Sequence, residues 1–105
     1  MTTIFKAAFI FIAPETKVDT NSSWVLTPEV HVKTLAVSSY QEACDSIDGL
    51  EKEGIRAIEL CGGFGQQGVA EIAKAVAGRM PIGVVRFDHH PCLGNVSGDA
   101  LFLPK

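Results

Sequence analysis

From Ile4 to Ile12 the chain reads Ile-Phe-Lys-Ala-Ala-Phe-Ile-Phe-Ile, an apolar run interrupted only by Lys6 and its alanines. Such a run, ended by Pro14, is what a strand shows when both of its faces are covered. Covering both faces of one strand calls for layers above and below a sheet, which points to an α/β fold. The run also has the character of a secretory signal's apolar core. Lys6 lies inside it rather than ahead of it, however, and about ten residues are too few to cross a bilayer.

The rest of the chain alternates. Val30 to Val37 (VHVKTLAV) reads as a second strand. Ser39 and Glu42 then form a capping box, the serine bonding forward and the glutamate reaching back. The helix they open runs to about Glu53, with Tyr40, Ala43, Cys44, Ile47 and Leu50 on one face and Gly54 at the C′ position. Ile55 to Cys61 is a third strand. Gln67 to Ala77 is a second amphipathic helix, carrying Val69, Ile72, Ala73 and Val76 on one side and stopping at Gly78. Pro81 opens a fourth strand, Ile82 to Phe87. Between the first two strands, Pro14, Asn21, Ser22, Ser23 and Pro28 break any pattern. That stretch has room for a short helix over Glu15 to Asp19 and for Trp24 as a lid on the core.

Single helices between strands imply right-handed crossovers and a parallel sheet. The expected fold is therefore α/β: a small three-layer domain with a four-stranded, mainly parallel sheet, ordered 2-1-3-4 or 1-2-3-4. At 105 residues the chain suits one domain, residues 1–105. Residues 91–105 form a C-terminal extension, whose Leu93, Leu101, Phe102 and Leu103 should pack on the domain or on a neighbouring subunit of a homo-oligomer.

Net charge narrows the partners. The formal charge of −3 with scattered lysines and arginines excludes a basic nucleic-acid surface. No membrane partner is expected. Cys44, Cys61 and Cys92 cannot all pair within one chain and show no C-x-x-C spacing, so the thiols suit a reducing cytoplasm.

Ligands of open α/β sheets bind beyond the carboxyl ends of the strands. Here those ends are Ala13-Pro14, Val37-Ser38, Cys61-Gly62-Gly63 and Asp88-His89-His90, and most of the chemically capable residues fall on that edge. Gly63-Phe64-Gly65-Gln66-Gln67-Gly68 matches G-x-G-x-x-G between a strand and a helix, with Asp88 twenty residues past Gly68. The chain has only one such unit and no second mononucleotide half. The reading that follows is a small anionic molecule at the helix N-terminus, held by Gly62, Gly63, Phe64 and Gly65, with Arg86 as counter-charge and Asp88 beside it.

A second group of residues on this edge suggests catalysis instead. Glu59 stands on a strand face that a helix should cover, so it is either ion-paired to Arg86 or a general base. Cys61 precedes a helix N-terminus, where a thiolate is stabilised, and His89 or His90 lies on the same edge. Asp88, His89 and His90 also have the atoms of a transition-metal site, although adjacent histidines on an extended chain point opposite ways. Three functions follow: an anion-binding module, a small lyase or hydrolase using Glu59 or Cys61 with His89 or His90, and an interaction protein without a ligand. The residues specify no cofactor.

The segments Glu59-Leu60-Cys61-Gly62-Gly63-Phe64-Gly65, Pro81-Ile82-Gly83-Val84-Val85-Arg86 and Ser97-Gly98-Asp99 resemble a family of small single-domain prokaryotic proteins of unknown function. That likeness implies a free-standing domain and no particular activity. Gly54-Ile55-Arg56-Ala57-Ile58-Glu59-Leu60 also resembles one βα unit of the (β/α)8 class I aldolases that split keto-deoxy sugar acids. This local likeness implies a chemical role for Glu59. The chain is under half a barrel and places no lysine at a strand end for a Schiff base.

Overall fold

The computed structural model describes residues 3–103. Strand β1 (Phe5–Ile12) lies at the centre of a five-stranded sheet, between β3 (Val30–Val37) and β4 (Ala57–Leu60). Both neighbours run parallel to it. Strand β5 (Ile82–Val84) extends the sheet in parallel beyond β4, and β2 (Ser22–Leu26) closes the other edge in antiparallel pairing with β3. The order is β2-β3-β1-β4-β5. Without the added edge strand this is the 2-1-3-4 arrangement.

Helix α1 (Tyr40–Lys52) starts where the capping pattern places it. Ser39 Oγ accepts from the Glu42 N–H at 3.0 Å, while the Glu42 carboxylate reaches back one residue further than expected, to the Ser38 N–H. Gly54 ends the turn at φ +91°. Helix α2 (Gln66–Val76) begins one residue early and ends in a left-handed Ala77. No helix among the described residues is long and apolar enough to cross a membrane.

Two expectations about the layers need correction. The sheet has five strands rather than four, because the interrupted stretch after Pro14 supplies β2 instead of a helix over Glu15 to Asp19. Trp24 consequently sits on an edge strand, 37% exposed, edge-on to His31 and under the Lys33 ammonium, and is not a lid. Secondly, α1 and α2 pack against each other over the same face of the sheet. Ala8, Ile10 and Ile12 of β1 point into that layer with Leu35, Val37, Ile58 and Leu60, beneath Tyr40, Ala43, Ile47, Leu50, Ile72 and Val76. Each fully buried aliphatic there contributes about 1.5–3 kcal/mol. The alternate residues of β1, including Phe5, Ala7 and Phe9, emerge on a face no helix covers. The domain thus has two layers, not three, since α1 and α2, the helices that connect the parallel strands, both lie on one side of the sheet. Among the described residues β2 and β5 are the sheet's two edges, and the five strands do not close on one another.

Residues 91–103 fold back on the domain, and residues 104 and 105 of the expected extension lie outside the described residues. After a 3-10 turn (Pro91–Leu93), the short helix α3 (Gly98–Phe102) packs on α2, with Phe102 against the Tyr40 ring.

Candidate functional site

The carboxyl edge of β4 leads into the glycine turn, and the first turn of α2 offers backbone N–H groups there. Gly65, the N-cap, has no side chain with which to satisfy them. The acceptor comes from far along the chain. Asp99 Oδ2 accepts from the Gln67 N–H at 2.8 Å, and Oδ1 accepts from the Gly68 N–H at 3.0 Å. The Tyr40 hydroxyl donates to Asp99 Oδ1 at 2.9 Å and accepts from the Gly65 N–H at 3.1 Å. Asp99 is held in turn by its own cap, its N–H donating to Ser97 Oγ. A carboxylate on the partial positive end of a helix is the arrangement an external anion would otherwise adopt. Here it belongs to the chain.

The same contacts account for the glycines. A Cβ on Gly65 would strike the Asp99 carboxyl and Ser97 Oγ; on Gly68, the Tyr40 ring; on Gly63, the Ile12 side chain; on Gly62, the Phe87 ring. None of the four has a positive φ. They are glycines for lack of space, and each neighbour filling that space is a residue of this protein. Burial pushes the Tyr40 hydroxyl well above its usual range, and its bond to Asp99 adds to the shift while the Gly65 N–H opposes it.

Beside this knot lies a cleft of about 290 Å³, bounded by α2 on one side and residues 84–88 on the other. Phe64, Val69, Val84 and Phe87 give it apolar walls, and Arg86 and Asp88 stand at its mouth. The two charges form an exposed pair, with Arg86 Nε 3.0 Å from Asp88 Oδ1 and Nη2 3.3 Å from Oδ2. That hydrogen bond holds the Arg86 guanidinium above its ordinary pKa. Nη1 makes no hydrogen bond among the described residues.

The expected pairing of Arg86 with Glu59 is therefore replaced by Arg86 with Asp88. Glu59 is exposed on the helix-free side of the sheet, so it needs no buried partner. Of the other candidates, Cys61 is half-buried and its sulfur accepts from the Gly63 N–H at 3.3 Å. His89 is exposed with Nδ1 3.2 Å from the Asn95 carbonyl oxygen. His90 caps the 3-10 turn by accepting from the Cys92 N–H, and its ring packs on Phe87. Among the described residues no hydrogen bond joins Glu59, Cys61 and His89, and no three His, Cys, Asp or Glu side chains gather as a metal site would require. Phe64, Gly65, Arg86 and Asp88 do come together around the cleft, while Gly62 and Gly63 are buried behind it.

The residues that organise this edge and that sequence reasoning missed are Tyr40 and Asp99. Tyr40 has the spacing of an ordinary core position. Asp99 lies in a helix of five residues, too short to show a period. The Ser97-Gly98-Asp99 sequence, with a serine cap before a first-turn acid, was the one available signal.

The model of the family of unknown function DUF6506 matches residues 5–100, and the chain belongs to that family. No curated protein matches the chain, and no solved structure does.

Proposed function

We propose that the protein is a binding module for a small anionic metabolite with an apolar body, taken up beside the glycine turn rather than on it. The observation that carries this reading is the cleft at the carboxyl edge, with apolar walls from Phe64, Val69, Val84 and Phe87 and Arg86 at its mouth. Its volume is near the lower bound for small-molecule sites, which are mostly apolar with a few polar groups that orient the ligand. The helix N–H groups at Gln67 and Gly68 already bond to Asp99, so the ligand's negative end is assigned to Arg86 Nη1. A free, oxygen-rich phosphate has little to gain from such walls. A carboxylate on a short aliphatic or aromatic body fits them.

The test is thermal unfolding in the presence of a panel of aliphatic and aromatic carboxylic acids and phosphate esters. A ligand that binds only the folded state raises Tm by mass action. The expected result is a rise with an apolar carboxylate that disappears in both Arg86→Ala and the cleft-filling Val69→Trp. A rise that survives both substitutions, or no rise with any member of the panel, overturns the reading.

A further inference from the structure

The helix-free face of the sheet is the largest feature that the cleft leaves unexplained. We infer that it is an isologous interface, covered by the same face of a second copy of this chain. This rests on the sheet and not on the ligand reading above.

Three observations support a second copy. The first is chemical. Val25 is 61%, Phe5 46% and Val30 38% exposed on this face, and Ala7, Phe9 and Val32 lie half-open between them. A contiguous apolar surface of this kind on a small domain marks a contact.

The second is size. Strands about 4.8 Å apart make the face about 24 Å wide, and β1 and β3 run for about 26 Å at about 3.3 Å per residue. With the shorter outer strands counted, the overlapping β2-β3-β1-β4 faces together enclose roughly 800–900 Å², the area of a weak, concentration-dependent dimer.

The third is self-complementarity, and it fixes the two-fold axis. Residues Ser23, Thr34, Phe9, Glu59 and Gly83 form one row across the open face, each paired in register with the next. The row below contains Val25, Val32, Ala7 and Ala57. Consider a two-fold axis running along the strands midway between β3 and β1. It lays β1 of one copy over β3 of the other, and β4 over β2, without changing the level along the strands. Within each row, small then meets large: Ala7 faces Val32 and Ala57 faces Val25. Glu59, the one charged side chain in these two rows, faces Ser23, whose hydroxyl can donate to it. Glu59 and Ser23 each lie about 7 Å to the side of that axis, one and a half strand spacings. An axis perpendicular to the strands would instead lay β4 on β4, and at the level of this row it would bring the two Glu59 carboxylates near each other, which like charge disfavours. The result is two sheets stacked face to face at the usual spacing of about 10 Å.

Sedimentation velocity of the full chain across a concentration series tests this, with far-UV circular dichroism to follow the fold. The expected result is a dimer for the natural protein and a folded monomer for Val25→Asp, an exposed edge-strand position where a charge leaves the core untouched. Ser23→Asp should raise the dissociation constant at least tenfold by opposing Glu59. Adding Glu59→Lys to Ser23→Asp should recover dimerisation, because the altered pair attracts across the axis. A natural protein that stays monomeric at every attainable concentration overturns the interface. So does a dimer indifferent to Val25→Asp. Failure of the double substitution to recover what Ser23→Asp lost overturns the proposed axis.

Discussion

The hydroxyl of Tyr40, at the start of α1, donates to the carboxylate of Asp99, in α3, across 59 positions of sequence and 2.9 Å of space. Through this bond the first helix, the glycine turn, the start of α2 and the C-terminal segment share one network. It supplies the N-cap that Gly65 cannot, and it uses the anion-binding capacity of the helix end for the chain's own stability. The fingerprint-like glycines follow from the same packing.

Replacing Asp99 by alanine tests that account in two ways. Three donors lose their acceptor, those of Tyr40, Gln67 and Gly68. Bonds to a charged group are worth about 1.5–3 kcal/mol, and solvent re-enters the partly exposed Gln67 site, so a net loss of roughly 2–4 kcal/mol is expected. In a domain of this size that lowers Tm by about 4–8 °C per kcal/mol. The variant should also gain a response the natural protein lacks. Phosphate or sulfate should raise the Tm of Asp99→Ala, because the helix N–H groups are then open to an external anion. Chemical denaturation and a phosphate titration, each against the natural protein, measure the two effects.

A pH prediction follows from Tyr40. Its pKa is raised in the folded state above the value of 10.0 it takes when unfolded, chiefly by burial. The sign follows from linkage: the unfolded chain releases this proton first. Its stabilising contribution is therefore fully present below pH 10 and is lost as the pH climbs from there through the folded-state pKa. Tyr40→Phe keeps the ring that stacks on Phe64 but has no proton to lose. It should be less stable than the natural protein at neutral pH and should show a shallower decline above pH 10. Equal slopes for the two proteins in urea denaturation at pH 9 to 11 would contradict this (about 1.4 kcal/mol per pH unit is the largest slope one such group can give).

Much of the fold was legible from apolar periodicity and caps. Ser39, Gly54 and the spacing from Tyr40 to Leu50 place α1 within a residue of its ends. The number of layers was not legible, because Phe9 and Ile10 are equally apolar while only Ile10 reaches the helix layer. A strand face awaiting another subunit and a strand face beneath a helix carry the same kind of residue. Glu59 was the informative exception. Read as a buried carboxylate in need of Arg86, it signals instead that its side of the sheet faces water in the single chain. At the site, the G-x-G-x-x-G pattern located the strand-to-helix turn correctly. It could not show that Asp99 caps the helix, because that contact arises only when the C-terminal segment folds back. Long-range partners of this sort leave no local spacing to read.

Two glycine-to-alanine substitutions separate the packing of this site from helix propensity. Gly49 lies in α1 with open space where an alanine methyl group would stand, so Gly49→Ala should stabilise the protein by about 0.5–1 kcal/mol. Gly68 is also helical and gains the same propensity term, but its Cβ would enter the Tyr40 ring. That ring is fixed by Phe64, Phe102 and Asp99, so it has no free direction in which to retreat. Overpacking of this kind costs about 1–3 kcal/mol, which outweighs the propensity gain. Gly68→Ala should therefore destabilise in urea, and the loss should shrink when it is combined with Tyr40→Phe less than when it is combined with Tyr40→Ala. Removing the hydroxyl leaves the ring where the new methyl group must go, whereas removing the ring opens the space. If Gly68→Ala stabilised the protein as Gly49→Ala does, the close approach of Tyr40 to the glycine turn would be wrong, and the pattern would need a ligand after all to explain its glycines.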